Sequence, residues 1–231
     1  AAGKVSWSAQ PVAGKALQVT YSTTNQGAIS LDAQWDDTCY LSTNATWDST
    51  AVNVGTVFVA QKLPQGGTYA GTNTITLPAL ASGNYHLILW ADSNNYLAES
   101  NELNNLVSVP IAITTPDLVP IAITAPASAA VGQSIQLICA VTNRGNGGAA
   151  APWYDAFYLA TNAVWDATAY FLASSYQSRG ATNSSSYSFT NNVNLPRWPG
   201  GTYFLIAKAD VNNSLYESAE TNNTRSIQIT L

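Results

Sequence analysis

Trp35-Asp36-Asp37-Thr38-Cys39-Tyr40-Leu41-Ser42-Thr43-Asn44-Ala45-Thr46-Trp47-Asp48 decides the fold, because the chain writes it twice. The second writing is Trp153-Tyr154-Asp155-Ala156-Phe157-Tyr158-Leu159-Ala160-Thr161-Asn162-Ala163-Val164-Trp165-Asp166, a shift of 118 residues (153 − 35). The same shift, with no gap, sets Asn25 and Gly27 against Asn143 and Gly145, Leu77-Pro78 against Leu195-Pro196, and Gly83 and Tyr85 against Gly201 and Tyr203. It ends on Asp92, Asn94, Asn95, Leu97, Glu99, Ser100, Glu102, Asn104 and Asn105. Their mates are Asp210, Asn212, Asn213, Leu215, Glu217, Ser218, Glu220, Asn222 and Asn223. A period this long means two whole domains, not a solenoid of small units.

The boundary is expected near Thr115-Pro116, where Pro stops one strand and Asp117-Leu118-Val119 starts the next, giving domains over 1–115 and 116–231. Within each half, short runs alternate or turn β-branched and are punctuated by Gly, Pro and Asn. Ala16 to Thr24 and Ile135 to Asn143 read as second strands, Tyr69 to Leu77 as an alternating strand with a polar outer face. Tyr85-Leu87-Leu89-Ala91 and Tyr203-Leu205-Ala207-Ala209 carry the inward period of sixth strands, and Leu106 to Thr114 and Thr224 to Leu231 close each half. No helix pattern stands out. The reading is all-β: two tandem seven-stranded immunoglobulin-like β-sandwiches, with Tyr85 and Tyr203 placed for tyrosine corners.

Composition bounds the function. The chain is 46% hydrophobic, so it has a core to bury. Charged residues are only 9%, against about 25% in typical domains, so Ser, Thr, Asn, Gln and Gly must keep the surface wet. With a net charge of −5 and no basic stripe, nucleic acid and anionic membranes are excluded as partners. No apolar run approaches the roughly 18 residues of a membrane span, so no membrane insertion is expected. Cys39 and Cys139 fall one in each half and read as buried small hydrophobes. Ala1-Ala2-Gly3-Lys4 lacks the apolar stretch of a signal peptide, and any export signal is expected to lie outside this sequence.

Further residues carry a family resemblance. Asp117-Leu118-Val119, Val131-Gly132-Gln133, Val141-Thr142-Asn143-Arg144-Gly145, Tyr158-Leu159-Ala160-Thr161, Leu195-Pro196, Gly201-Thr202-Tyr203, Ala209-Asp210 and Glu217-Ser218-Ala219-Glu220-Thr221-Asn222-Asn223 resemble the cell-adhesion-related domain found in bacteria, CARDB. The first half resembles it more loosely at its start and equally well from Asn25 onward. The resemblance implies an immunoglobulin-like fold in surface and secreted proteins, one module among several, and implies neither a ligand nor a catalytic role.

Ten of the thirteen acids are Asp37, Asp48, Asp92, Glu99 and Glu102 with their mates Asp155, Asp166, Asp210, Glu217 and Glu220. In each half three of them share one stretch with Asn94, Asn104 and Asn105, or with Asn212, Asn222 and Asn223, and no Lys or Arg interrupts it. Clustered carboxylates repel unless something neutralises them. One reading is calcium, a hard cation that wants six to eight oxygens and needs no His or Cys. Its candidate ligands are Asp37, Asp92, Asn94, Glu99, Glu102 and Asn105, and Asp155, Asp210, Asn212, Glu217, Glu220 and Asn223. Asp37 shares parity with Trp35 and Cys39 and is expected to face the interior. The other reading is turn capping, with Asp and Asn oxygens accepting backbone N–H groups. Strand direction would bring the Asp210–Asn223 loop, Asp117 and the Ser42–Asp48 loop to the junction, where a cation would stiffen the interdomain angle.

Catalysis is poorly supplied. His86 is the only histidine, its mate is Phe204, and no nucleophile elbow, phosphate loop or zinc-spaced Cys/His set appears. The expected function is a non-catalytic adhesion or spacer module, extracellular or at the cell surface, rigidified by calcium. Its partners would be other domains of a larger surface protein, a cell-surface protein or a polysaccharide. The alternative is a carbohydrate-binding module attached to a secreted enzyme, since sugars stack on aromatic faces. Trp47 and Trp165 recur and read as packing residues; candidate binding residues are His86, Trp90 and Trp198, with Phe204, and outer patches around Ile88 and Ile206 are expected to be exposed.

Overall fold

Alternation turns into burial strand by strand. Over Ala16–Thr24 the side chains of Leu17, Val19, Tyr21 and Thr23 are buried while Gln18 and Thr20 are exposed, the period of two that a half-buried strand imposes. The computed structural model describes residues 1–231. By the contacts within it, the chain divides into Ala1–Thr114 and Thr115–Leu231.

The first domain comprises β1 (Ala2–Trp7), β2 (Ala16–Thr24), β3 (Leu31–Ser42), β4 (Val52–Leu63), β5 (Thr68–Thr76), β6 (Gly83–Trp90) and β7 (Leu106–Ile113). They form a three-stranded sheet, β1-β2-β5, and a four-stranded sheet, β4-β3-β6-β7, antiparallel throughout. The second domain repeats this with β8 (Leu118–Thr124), β9 (Ser134–Asn143), β10 (Trp153–Ala160), β11 (Tyr170–Gln177), β12 (Ser186–Asn194), β13 (Thr202–Lys208) and β14 (Thr224–Thr230). Its sheets are β8-β9-β12 and β11-β10-β13-β14. The expected seven-stranded sandwich is the observed one in both halves. The only helical element is a single 3₁₀ turn, Glu102–Asn104, and no helix is long and apolar enough to cross a membrane.

Each core lies between its two sheets. In the second it joins Leu118, Leu137, Val141, Trp153, Phe157, Leu205, Ala207 and Ile229, all essentially inaccessible. Side chains this size contribute about 1.5–3 kcal/mol each when fully buried. Cys39 and Cys139 are free thiols in these cores, where burial pushes each up to about 12, so they act as small apolar residues. At the start of β6 and β13 the tyrosine corners form as expected. The Tyr85 hydroxyl donates to the Ala81 carbonyl at 2.9 Å, and that of Tyr203 to the Pro199 carbonyl at 2.8 Å.

Candidate functional site

A carboxylate inside each sandwich is the first unusual feature. On β3 and β10, Trp and Asp two residues apart both turn inward, and the Trp indole N–H reaches the Asp: Trp35 to Asp37 Oδ1 at 3.0 Å, Trp153 to Asp155 Oδ1 at 3.1 Å. The facing sheet supplies a tyrosine, Tyr69 to Asp37 and Tyr187 to Asp155 Oδ2 at 2.9 Å. A third donor is the backbone N–H of Asp92 (3.2 Å) or Asp210 (3.0 Å). An unpaired carboxylate here would be costly; three donors make it tolerable and tie the two sheets together. Burial still raises both carboxyls above the usual range, Asp155 to about 6, with the bonds from Asp210, Tyr187 and Trp153 opposing. Asp37 and Asp155 therefore serve as internal acceptors. Tyr69 and Tyr187 escaped the sequence reading, although they are themselves 118 residues apart, which was the available signal.

The second feature is the loop after β6 and after β13. Asp92 and Asn95 have φ of 50° and 52°, Asp210 and Asn213 of 40° and 54°, a left-handed region that Asp and Asn tolerate better than most residues. The Asp92 carboxylate accepts from Tyr96 N (3.0 Å) and Leu97 N (2.9 Å); Asp210 accepts from Ser214 N (3.0 Å) and Leu215 N (2.8 Å). Glu102 accepts from Glu99 N, and Glu220 from Glu217 N. The Asn105 amide then bridges Glu99 and Glu102, as Asn223 bridges Glu217 and Glu220 at 3.1 and 3.3 Å.

Each loop thus brings its two Glu and final Asn together, while its Asp carboxylate is taken up by the loop's own backbone. Asn94 is bound instead to Asp36, whose mate is Tyr154, and Asn212 is simply exposed. No three His, Cys, Asp or Glu side chains converge as a metal cage would require. In the second domain Glu217 also accepts from Leu118 N, and Asn222 donates to Asp117 at 2.9 Å, so Asp117 does meet this loop. Burial pushes Glu217 up to about 8, against the bond from Leu118; neighbouring Glu220, Asp210 and Asp117 push the same way.

The outer faces correct one expectation. Ile88 and Ile206 are 1% and 0% exposed, so neither domain presents the open aliphatic patch that alternation suggests. Trp47, from the loop after β3, packs with Tyr40 (6.1 Å between ring centroids) and Trp90 (4.8 Å) on the face that carries Ile88. In the second domain Trp165 packs on Tyr158, and the Lys208 ammonium lies 3.7 Å from its ring centroid. His86 is half-buried beside Ser108 Oγ at 3.4 Å, and Phe204 is half-buried. Trp198 is wedged between Tyr170 and Tyr203, both at 5.4 Å, against the core and not among the outer-face residues. The exposed aromatics are mostly others: Phe58 and Tyr96 in the first domain, where Trp47 is also partly open, and Tyr154, Tyr170, Phe171 and Tyr176 in the second, with the Tyr154 and Tyr176 ring centroids 5.1 Å apart.

Among protein-family models, CARDB matches the chain twice, over residues 4–109 and 115–227. No curated protein sequence matches. A solved CARDB domain from Pyrococcus furiosus, in complex with di-metal ions, is 19% identical and covers 50% of this chain and 88% of its own, with a TM-score of 0.40. A domain of a candidate cell surface protein from Methanosarcina acetivorans is 18% identical over 50% of this chain and 91% of its own, with a TM-score of 0.38. A red sea bream transglutaminase aligns at 12% identity over 98% of this chain and 30% of its own, with a TM-score of 0.33.

Proposed function

The chain belongs to the CARDB family in both of its domains, and from that membership we propose that it is a non-catalytic adhesion or spacer module of a bacterial surface or secreted protein. The observation that carries the reading is where the recurrent polar groups go. Asp37, Asp92, Glu99, Glu102 and Asn105, with their mates, bind their own domain's backbone or one another. Groups spent on holding loops suit a module that must keep its shape.

The finer part of the proposal is calcium at the loop acids. Its support is that Glu99 and Glu102 sit side by side in a loop without Lys or Arg, bridged only by Asn105. Since no three acids converge, a cation would draw its remaining oxygens from Asn side chains, carbonyls and water. A thermal melt in excess calcium and in chelator tests it. A ligand at 100 times its dissociation constant adds about 2.7 kcal/mol, a rise of several degrees. Identical melts would leave the acids as turn caps alone.

One observation favours a second reading, a carbohydrate-binding module. Tyr154, Phe171 and Tyr176 are 41%, 53% and 56% exposed on paired strands β10 and β11, and exposed rings are what sugars stack on. Titrating the intrinsic fluorescence with soluble polysaccharides separates the two: a saturable shift replaces the spacer reading, and none supports it.

A further inference from the structure

The repeat breaks at one hairpin. In the first domain β3 and β4 stay paired from Trp35↔Val59 out to Leu31↔Leu63. Their mates β10 and β11 stop at Trp153↔Gln177, and only an isolated bridge, Ala149↔Ala181, rejoins them. The cause is in the sequence: Pro152 stands where the first domain has Gln34, and proline has no N–H to give to a ladder. Ser178-Arg179-Gly180 therefore leaves the sheet as a short bow. It is pinned by β11 at one end and by the paired backbone of Ala149 and Ala181 (2.8 and 3.0 Å) at the other.

Between this bow and the start of β12 lies a hollow of about 320 Å³, lined by Tyr176, Gln177, Ser178, Arg179, Tyr187 and Ser188 among others. That is the size of a small-ligand site, about 300–1,000 Å³. Tyr187 is held in place by Asp155 and Trp153, so one wall is preset. The rest of the lining has free polar groups: the side chains of Gln177, Ser178 and Ser188 make no hydrogen bond within the chain. Arg179 is exposed, pairs with no acid and is the only charged residue of the lining. Its mate in the first domain is Gln61. All four arginines of the chain lie in the second domain, which carries five cations against six acids, whereas the first has three Lys against seven acids. An anion therefore meets far less repulsion on the second domain. Tyr176 also joins the hollow to the exposed Tyr154–Tyr176 ring pair.

We propose that the hollow and the Tyr154–Tyr176 pair form one binding site for an acidic polysaccharide, a chain containing uronate sugars. One sugar ring lies on the two tyrosines. The carboxylate of the next takes the Arg179 guanidinium, whose planar fork matches a carboxylate with two parallel hydrogen bonds. Its hydroxyls exchange hydrogen bonds with Gln177, Ser178 and Ser188. Exposed rings beside a lining of uncharged hydroxyls and one cation suit a sugar acid better than an acidic peptide, which would bring several charges to a single arginine. The proposal rests on the carbohydrate-binding reading and narrows it to a class of ligand.

Isothermal titration calorimetry of the full chain with hexagalacturonate, and with its methyl-esterified form, separates the charge from the sugar. Arg179→Gln should weaken binding of the acid by about tenfold or more and leave the ester's weaker binding unchanged. Arg197→Gln, at an exposed arginine in the loop after β12, should change neither. Equal affinity for acid and ester, an equal loss in the two arginine variants, or binding of neutral xylan and cellulose oligomers alone overturns the proposal and leaves the carbohydrate-binding reading standing. Binding of a glutamate hexapeptide without hexagalacturonate overturns it in favour of an acidic peptide. If none of these saccharides binds, both readings fall.

Discussion

Replacing Asp155 by Asn removes a buried charge while leaving most of its hydrogen bonds in place. Oδ1 accepts from Trp153 and from the Asp210 N–H, and Oδ2 from the Tyr187 hydroxyl. An Asn oxygen can keep the first pair, and its amide can donate to Tyr187, because a hydroxyl both donates and accepts. The native carboxyl is lifted by burial from 3.8 to about 6. Its folded value exceeds its unfolded one, so between those values the native state holds a proton that the unfolded chain has released. The stabilisation from that proton is fully present below the unfolded value and is lost as pH rises through about 6. At about 1.4 kcal/mol per pH unit the excursion comes to about 3 kcal/mol. Asp155→Asn has no proton to release, so it should gain about 3 kcal/mol on the native protein as pH rises from about 3.5 to about 7.5. Urea unfolding followed at the Trp153 indole N–H resonance reports the second domain alone. Parallel pH profiles in the two proteins would place the proton elsewhere and refute the argument.

Glu217, raised to about 8 chiefly by burial, carries the same sign to higher pH: its proton's stabilisation is present below the unfolded 4.5 and lost through about 8. Calorimetry should show the second domain's transition falling between about pH 4.5 and 8, and Glu217→Gln should flatten that fall. Gly145→Ala drives a Cβ to 2.2 Å from the Thr115 oxygen and 2.5 Å from the Pro116 carbonyl carbon. It should cost about 1–3 kcal/mol, whereas Gly27→Ala, which meets only Asn25, should cost less than about 1 kcal/mol. Equal losses in denaturant melts would mean that the close approach at Gly145 is not what constrains it.

Residue type, alternation and a repeat of 118 were enough to expect seven strands in each half, to place the second, sixth and seventh of each, both tyrosine corners and the inward turn of Asp37. Each of these is local: a strand has a period of two, so neighbouring residues dictate which face a side chain takes. The coming together of Glu99, Glu102 and Asn105 was equally legible, because they share one loop and need no distant partner. Other contacts required the chain to fold back on itself. Period two puts Ile88 and Ile206 on the outer face but cannot say that Trp47 and Trp165 return from the next loop to pack on that face. It turns Asp155 inward but does not name Tyr187, which arrives from the facing sheet. Strand periodicity is a property of the backbone and is written locally; what covers a face or fills a groove depends on the path of residues far along the chain, and only tertiary packing decides it.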